Sequence, residues 1–332
     1  MKKRKLIGTC IDDNYLWPWV VMVYSAVSNS KNQDFDIVIA NMDGMLSTES
    51  KLVISDLSKL LKIESRVIDF TSNLQVDFQH NFNMTTFGRL FLMDFLDQDF
   101  LWLDADLLLM PEWDQIFSEK GYLESSDVVI HGVLDSVSTL KRLEMSRNPA
   151  FLASNGRYIN AGVMKVNIQR WRELSSKLSW RRMAQEVQDD GLHFFDQDLI
   201  NLLCAGKISL LRQGYNYLAG DEITFREKVF VQHYAGDPKP WRLTKSGKEI
   251  LLGIQGFQYF SPKNWVSNFN NSLILHPIYW GVEREIEEFL EALSPSLIGR
   301  LKTLRQRGYL KNDWRLKLKY VFTKLITRRF FN

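Results

Sequence analysis

Cysteine is nearly absent: Cys10 and Cys204 are the only two in 332 residues. Two thiols so far apart build no disulfide framework and lack metal-site spacing, which points to a reducing compartment. Glycine-rich phosphate loops are missing as well. With no Gly-x-Gly-x-x-Gly and no Walker lysine loop, the sequence argues against a dinucleotide-binding unit of that kind, a P-loop and a nucleotidyltransferase. Proline and glycine number only 8 and 18, and 45% hydrophobic with 24% charged residues is a globular profile rather than a disordered or collagen-like one. No apolar run reaches the roughly 18 to 20 residues of a membrane span; the richest, Leu16 to Val27, contains Pro18 and Ser25. Met-Lys-Lys-Arg-Lys at the start looks like the charged part of a secretion signal, but the apolar stretch behind it, Leu6 to Ile11, stops at Asp12 and Asp13. A cytoplasmic chain is therefore expected, unless some part of it adheres to a membrane.

Net charge is also small, +3 from 42 Lys and Arg against 39 Asp and Glu, which argues against an obligate nucleic-acid binder. The distribution is uneven. From Arg300 to Asn332 there are 11 basic residues and one acid, so this segment carries +10 and the other 299 residues carry −7.

Along the chain, short β-like runs alternate with amphipathic helical segments. Leu6–Ile11, Phe35–Ile39, Arg66–Phe70, Phe100–Leu103, Asp127–Leu134 and Ile159–Val166 read as strands. Helices are expected from about Trp17 to Ser28, from Thr48 to Leu61 with Leu52, Leu57, Leu60 and Leu61 on one side, and up to Leu96 from a cap at Thr85 or Thr86. Such alternation implies an α/β layered domain with a mainly parallel sheet, whose ligands bind beyond the carboxyl ends of strands. Phe100-Leu-Trp-Leu103 is apolar throughout, as a central strand buried on both faces should be.

The polar residues at strand ends carry the chemistry. In Leu103-Asp-Ala-Asp-Leu-Leu-Leu-Met110 two carboxylates stand two residues apart, on the same side of an extended backbone. Between apolar runs such a pair is costly without a counter-cation. A divalent metal relieves that cost and can hold phosphate oxygens too; a solvated pair in a turn is the alternative. His233 follows Phe230-Val-Gln and leads into Tyr-Ala-Gly-Asp-Pro-Lys-Pro-Trp241. An imidazole suits a third ligand and would favour Mn²⁺ over Mg²⁺, Gly236 permits close backbone approach, and Lys239 offers a point charge to phosphate. A structural histidine is the competing reading. Asn160 opens a strand beside Ala161 and Gly162, small residues that leave room for a ligand, and Trp171 anchors the helix that follows. Asp196 reads as a helix N-cap, with Leu199, Ile200, Leu202 and Leu203 as the buried stripe; Gln197 and Asp198 add groups able to orient a sugar or stabilise positive charge. Asp12-Asp-Asn-Tyr15, past the first strand, suits a ribose or base, with Tyr15 for stacking.

Taken together and in this order, these segments resemble glycosyltransferase family 8, whose members have the GT-A fold and include bacterial lipooligosaccharide galactosyltransferases. Asp12-Asp-Asn-Tyr15 is similar to the family's first strand end, Thr85-Thr-Phe-Gly-Arg-Leu90 to the helix whose arginine faces the donor, and Leu103-Asp-Ala-Asp106 to its DxD motif. Asn160-Ala-Gly-Val163 with Trp171, Asp196-Gln-Asp198, and His233-Tyr-Ala-Gly-Asp-Pro-Lys-Pro-Trp241 resemble its Asn-Ala-Gly, Asp-Gln-Asp and His-x-x-Gly-x-x-Lys-Pro-Trp segments. The resemblance runs from about Lys5 to Trp241.

It implies a GT-A, Rossmann-like mixed sheet flanked by helices, and a retaining transfer of glucose or galactose from a UDP-sugar to a glycan of the bacterial cell surface. Mn²⁺, or Mg²⁺ in its place, would be held by Asp104, Asp106 and His233. Asp12, Asn14 and Tyr15 would meet uridine, Gly236 and Lys239 the diphosphate, and Arg89, Asp135, Asn160 and Asp196 the donor sugar; Cys10, Ala105 and Ala161 would also line the donor. Gln197 would lie beneath the anomeric carbon, with Asp196 beside it as the catalytic pair. An amide is a poor nucleophile, which favours front-face attack by the acceptor hydroxyl. Extension of O-glycans on a surface glycoprotein or adhesin is the alternative activity, and a non-catalytic sugar-nucleotide-binding scaffold the alternative class.

The expected catalytic domain spans 1–282, with 242–282 shaping the acceptor side, and 283–332 forms a helical appendage. In it Leu310, Trp314, Leu318, Val321, Phe322 and Leu325 recur mostly three or four apart, with Lys311, Arg315, Lys319, Lys324 and Arg328 between them. That is a basic amphipathic helix suited to the anionic inner face of the plasma membrane, not to nucleic acid. Packing on the domain or docking a partner is the competing use. Removing the chain beyond Ser294 is expected to abolish sedimentation with anionic liposomes; unchanged binding would refute the membrane reading.

Overall fold

A computed structural model describes residues 4–74, 84–121, 127–135, 157–189, 195–218 and 228–235. The chain divides into two units, Met1–His233 and Tyr234–Asn332. Of the second, only Tyr234 and Ala235 are described, so Gly236, Lys239, the 242–282 segment, the boundary at 282 and the basic tail lie outside the described residues. Among the described residues no helix is long and apolar enough to cross a membrane.

The first unit opens with strand β1 (Lys5–Cys10), helix α1 (Leu16–Asn29), β2 (Phe35–Met42), α2 (Thr48–Leu61) and β3 (Ser65–Phe70). Helix α3 (Gly88–Phe95), β4 (Phe100–Leu103), β5 (Leu107–Leu109), β6 (Ile130–Leu134) and β7 (Ile159–Val166) follow. Then come α4 (Ile168–Ser175), α5 (Trp180–Asp189), α6 (Phe195–Leu203), β8 (Ile208–Leu210), β9 (Tyr217–Leu218) and β10 (Val231–His233). Seven strands form one sheet in the order β3-β2-β1-β4-β7-β6-β8, and β5-β10-β9 form a second.

All strands of the large sheet run the same way except β7, which is antiparallel to β4 and β6. The expected mainly parallel sheet is present, with one reversal in its middle. β4 is buried along its whole length, as its unbroken apolar run requires. In the small sheet, β5 satisfies its outer edge on α1. Ser25 Oγ accepts from the Leu109 amide at 3.1 Å, and Asn29 donates to the Leu109 carbonyl at 2.6 Å, so the edge exposes no unpaired backbone there.

Three local expectations are corrected. Helix α2 has the expected bounds, capped by Ser47 accepting from Ser50 N and ended by Lys62 at φ 56°, but its buried face is Ser50, Val53, Ile54, Leu57 and Ser58. Leu52 and Leu60 are exposed. At about 100° per residue Leu52 lies about 140° round from Leu57, so of these leucines Leu57 alone belongs to the buried face. Helix α3 is not capped by Thr85 or Thr86: these lie in a 3₁₀ turn, Met84–Phe87, and the α-helix begins at Gly88. β6 likewise starts at Ile130 rather than Asp127. Trp171 does anchor α4. Its indole donates to Asp94 Oδ1 at 3.0 Å, while Trp180 donates to Oδ2 at 2.8 Å.

Gly88 sets how closely α3 sits on β1. A Cβ there would lie 2.4 Å from Cys10 Sγ and 2.5 Å from Cys10 Cβ, so only glycine lets the helix begin against the strand end. Gly88→Ala is expected to destabilise the protein by about 1–3 kcal/mol through overpacking, read as a lower urea midpoint. Cys10→Ala should not rescue it, because Cβ itself stands in the way.

Candidate functional site

Strand direction assembles the site. β1, β4 and β6 end at one edge of the sheet, and β7, running backwards, begins there. Leu103 pairs with Val163, so Asp104 continues past β4 beside Gly162, whose carbonyl accepts from the Asp104 amide at 2.9 Å. Leu134 pairs with Ile159, which puts Asp135 next to Tyr158. In the small sheet His233 pairs with Leu107, the residue after Asp106. Register alone therefore brings His233 to Asp104 and Asp106, and one ligand atom from each of the three lies within 4.8 Å of the others.

Arg89, one residue into α3, reaches into the same edge and is 6% exposed. It lies 3.0 Å from Asp104 Oδ1 and 2.9 Å from Asp196 Oδ2, donates to the Ala161 carbonyl, and places its guanidinium over the Trp102 ring. The contact with Asp196 is a close charge pair rather than an aligned hydrogen bond. Trp102 Nε1 also donates to Asp104 Oδ1, at 2.7 Å. With Oδ1 held by two donors, Oδ2 is the oxygen Asp104 has left for a cation.

Around these, amides link the acids. Gln197 Oε1 accepts from the Ala161 amide at 3.0 Å, and its Nε2 donates to Asp135 Oδ2 at 2.7 Å and to Tyr158 OH at 3.0 Å. Tyr158 in turn donates to Asp198, which is fully buried; burial and that carboxylate push the phenol upward, so it keeps its proton. Asn201 holds both the amide and the carbonyl of Ile159. Asn160 Oδ1 accepts from the Gly162 amide at 2.9 Å and from Asn216 Nδ2 at 2.8 Å, and Asn216 Oδ1 lies 2.8 Å from His233 Nδ1.

The expected residues thus fall into three groups. Asp104, Asp106, His233, Arg89, Asp135, Asn160, Ala161, Asp196 and Gln197 converge, with Ala105 buried between the two aspartates. Both backbone groups of Ala161 are already bonded, to Gln197 and Arg89. Asp12, Asn14 and Tyr15 lie at the end of β1 in a short turn where Asp12 accepts from Tyr15 N. Cys10 sits between them and Arg89; burial raises its thiol well above the ordinary range in spite of that arginine, so it stays neutral. Gly236 and Lys239 lie outside the described residues.

Two sequence expectations change. Asp196 lies within the first turn of α6 and spends its carboxylate on Arg89. Gly162 leaves room for a side chain of the chain itself: a Cβ there would lie 2.3 Å from His233 Cε1 and 3.0 Å from Asn160 Oδ1. Tyr158, Asn201 and Asn216 were not anticipated. Tyr158 and Asn201 each flank an anticipated segment, but Asn216 stands alone in an unremarkable turn, Gln213-Gly-Tyr-Asn216, and carried no signal.

The donor set fits a divalent cation. Two carboxylates and one imidazole are within reach of a single ion, and Arg89 pairs with one of those carboxylates, Asp104, and with Asp196.

The family profile described as Glycosyl transferase family 8 matches residues 6–245. A lipopolysaccharide 1,2-glucosyltransferase of Escherichia coli is 26% identical over 258 residues, covering 70% of this chain and 71% of that protein. Glycosyltransferase GlyF of Streptococcus pneumoniae serotype 4 is 24% identical over 252 residues, covering 72% of this chain and 57% of that one. Among solved structures, the galactosyltransferase LgtC in complex with donor and acceptor sugar analogs superposes with a TM-score of 0.58 at 18% identity, over 80% of this chain and all of that one. The chain has the GT-A fold of these neighbours.

Burial pushes the Asp196 carboxyl up to about 7 from its ordinary 3.8, against the pull of Arg89. The unfolded chain releases this proton near the ordinary value and the folded chain keeps it to about 7. Through that window the folded state holds the extra proton, so this group's contribution to stability falls as pH rises. Asp196→Asn is expected to remove that slope: in chelator, its stability relative to wild type should climb between about pH 4 and about pH 7, measured by urea unfolding across the range.

Proposed function

Because the chain belongs to glycosyl transferase family 8, we propose that it moves a hexose, glucose or galactose, from a UDP-sugar to a glycan of a bacterial cell surface, with retention of anomeric configuration. The cation is held by Asp104, Asp106 and His233, and the imidazole favours Mn²⁺ over Mg²⁺. The observation that carries the reading is the meeting of these three residues at the sheet edge with Asp196 and Gln197 alongside. A cell-surface acceptor is supported by the lipopolysaccharide glucosyltransferase among the relatives. Residues 1–282 make up the catalytic domain in this reading, and the basic tail brings the protein to the membrane where such glycans grow.

A divalent cation bound there stabilises the leaving diphosphate as its negative charge grows. The chain's own groups serve the sugar. Gln197 is fixed at both ends, its oxygen taking the Ala161 amide and its nitrogen donating to Asp135 and Tyr158. A neutral amide so held is a poor nucleophile but a well-placed dipole beside an anomeric carbon that turns positive. Asp196, with Arg89 behind it, presents its carboxyl on the same side, charged only above about pH 7. Attack by the acceptor hydroxyl on the face that the diphosphate leaves, with Gln197 and Asp196 supporting the cationic sugar, accounts for retention without a glycosyl-enzyme. Asp12, Asn14 and Tyr15 are the residues assigned to the uridine in this reading, as Gly236 and Lys239 are to the diphosphate.

A screen of UDP-sugars with Mn²⁺ and no acceptor should show slow UDP release with UDP-glucose or UDP-galactose. Asp104→Asn and Asp106→Asn are each expected to lower that rate about a hundredfold or more, as loss of several kcal/mol of charge stabilisation implies. Full activity of either variant in chelator would refute the cation assignment, and absence of release from any UDP-sugar would favour a sugar-nucleotide binder.

A further inference from the structure

We infer that Asn216 is a positioning residue for the cation site: it fixes the tautomer and the ring plane of His233 so that the Nε2 lone pair faces the two aspartates. The inference rests on the cation reading above, but its evidence is a chain of hydrogen bonds whose polarity is set at one end. The Gly162 amide can only donate, so the Asn160 atom it meets at 2.9 Å is the carbonyl oxygen, Oδ1. That same oxygen lies 2.8 Å from the Asn216 side chain, which must therefore present its NH₂. The other end of Asn216 is then its oxygen, and it stands 2.8 Å from His233 Nδ1. An oxygen with only lone pairs needs a hydrogen there, so Nδ1 carries a proton, and in the neutral ring Nε2 keeps the lone pair. Nε2 is the atom on the aspartate side, 3.4 Å from Asp106 Oδ1.

Burial makes the arrangement decisive. His233 is 3% exposed, Asn216 1% and Asn160 8%, so water offers little alternative partner to any of them. The ring is also confined on its flank by Gly162, as the short distance from a Cβ there to His233 Cε1 shows. The same backbone residue thus starts the hydrogen-bond chain and bounds the ring at its end. A histidine ligand whose other nitrogen is hydrogen-bonded in this way is oriented before a cation arrives. The relay also ties the cation site to the sugar side, since Asn160 Nδ2 approaches Asp135 Oδ2 at 3.5 Å.

Two measurements on the full chain test this. In ¹⁵N-histidine NMR of the metal-free protein, with His233 identified through His233→Gln among the five histidines, its ring is expected in the Nδ1–H form; the Nε2–H form would overturn the inference with no variant of Asn216 needed. In titration with Mn²⁺ alone, followed by the EPR signal of the free ion, Asn216→Leu is expected to weaken binding about 10- to 100-fold. Asn216→Asp, which keeps an acceptor for Nδ1–H but loses the donor to Asn160, should keep that tautomer and bind Mn²⁺ more tightly than Asn216→Leu, though less tightly than wild type. Unchanged affinity in Asn216→Leu, or an equal loss in both variants, would overturn the inference. Wild-type protein that binds no Mn²⁺ would overturn the cation reading itself, while the NMR tautomer still reports on the relay.

Discussion

One buried guanidinium holds the acidic edge of the sheet together. Arg89 pairs with Asp104 and Asp196, while Asp106, Asp135 and Asp198 stand close by, all nine-tenths or more buried. Bringing several carboxylates out of water costs several kcal/mol for each that remains charged, and Arg89 offsets part of that cost at Asp104 and Asp196. Burial makes Asp196 resist ionisation against the pull of Arg89, and a divalent cation suits the cluster of Asp104, Asp106 and His233. Geometry explains why the residue is arginine. A planar fork can meet two carboxylates and a carbonyl while standing over the Trp102 ring, which the point charge of a lysine cannot do. The arginine gets there because α3 starts hard against β1 at Gly88.

The second constraint is the reversal of β7. In a purely parallel sheet only strand ends would meet at the ligand edge, and the start of β7 would lie at the opposite side. Running antiparallel to β4 and β6, it delivers Tyr158 to Gly162 next to Asp104 and Asp135. The antiparallel pairing of β10 with β5 does the same for His233. Residues more than a hundred positions apart become neighbours through register, which a one-residue slip would turn to the opposite face.

These two facts divide what was legible in the sequence from what was not. Strands buried on both faces announce themselves through unbroken apolar runs, so β4 and β7 have the expected bounds, and polar residues flanking such runs pointed to the edge where Asp104, Asp106, Asn160 and His233 now meet. Leu52 and Leu60 misled because leucine count is no substitute for helical phase when a helix buries only one stripe. Thr85 and Thr86 misled because a 3₁₀ turn precedes α3. Gly162 was read as space for a ligand, since a sequence records that room is left without recording for what; the ring of His233 takes it. Asn216 was invisible because its role depends on β9 and β10 lying side by side, a pairing between segments too short to have a pattern of their own.

The residues that surround the acids are chiefly amides: Asn160, Gln197, Asn201 and Asn216. A carboxylate in any of these places would add charge to an edge that already has too much, and it would accept at both ends. An amide accepts at one end and donates at the other, so a run of them transmits polarity. Gln197 receives a backbone hydrogen and passes one to Asp135; Asn201 receives one from Ile159 and returns one to the same residue's carbonyl; Asn160 and Asn216 pass the direction set by Gly162 to His233. Each chain begins on a main-chain group fixed by the sheet. The orientation of the side chains that would face cation and sugar is therefore inherited from β7, and no further ionisable group is needed to secure it.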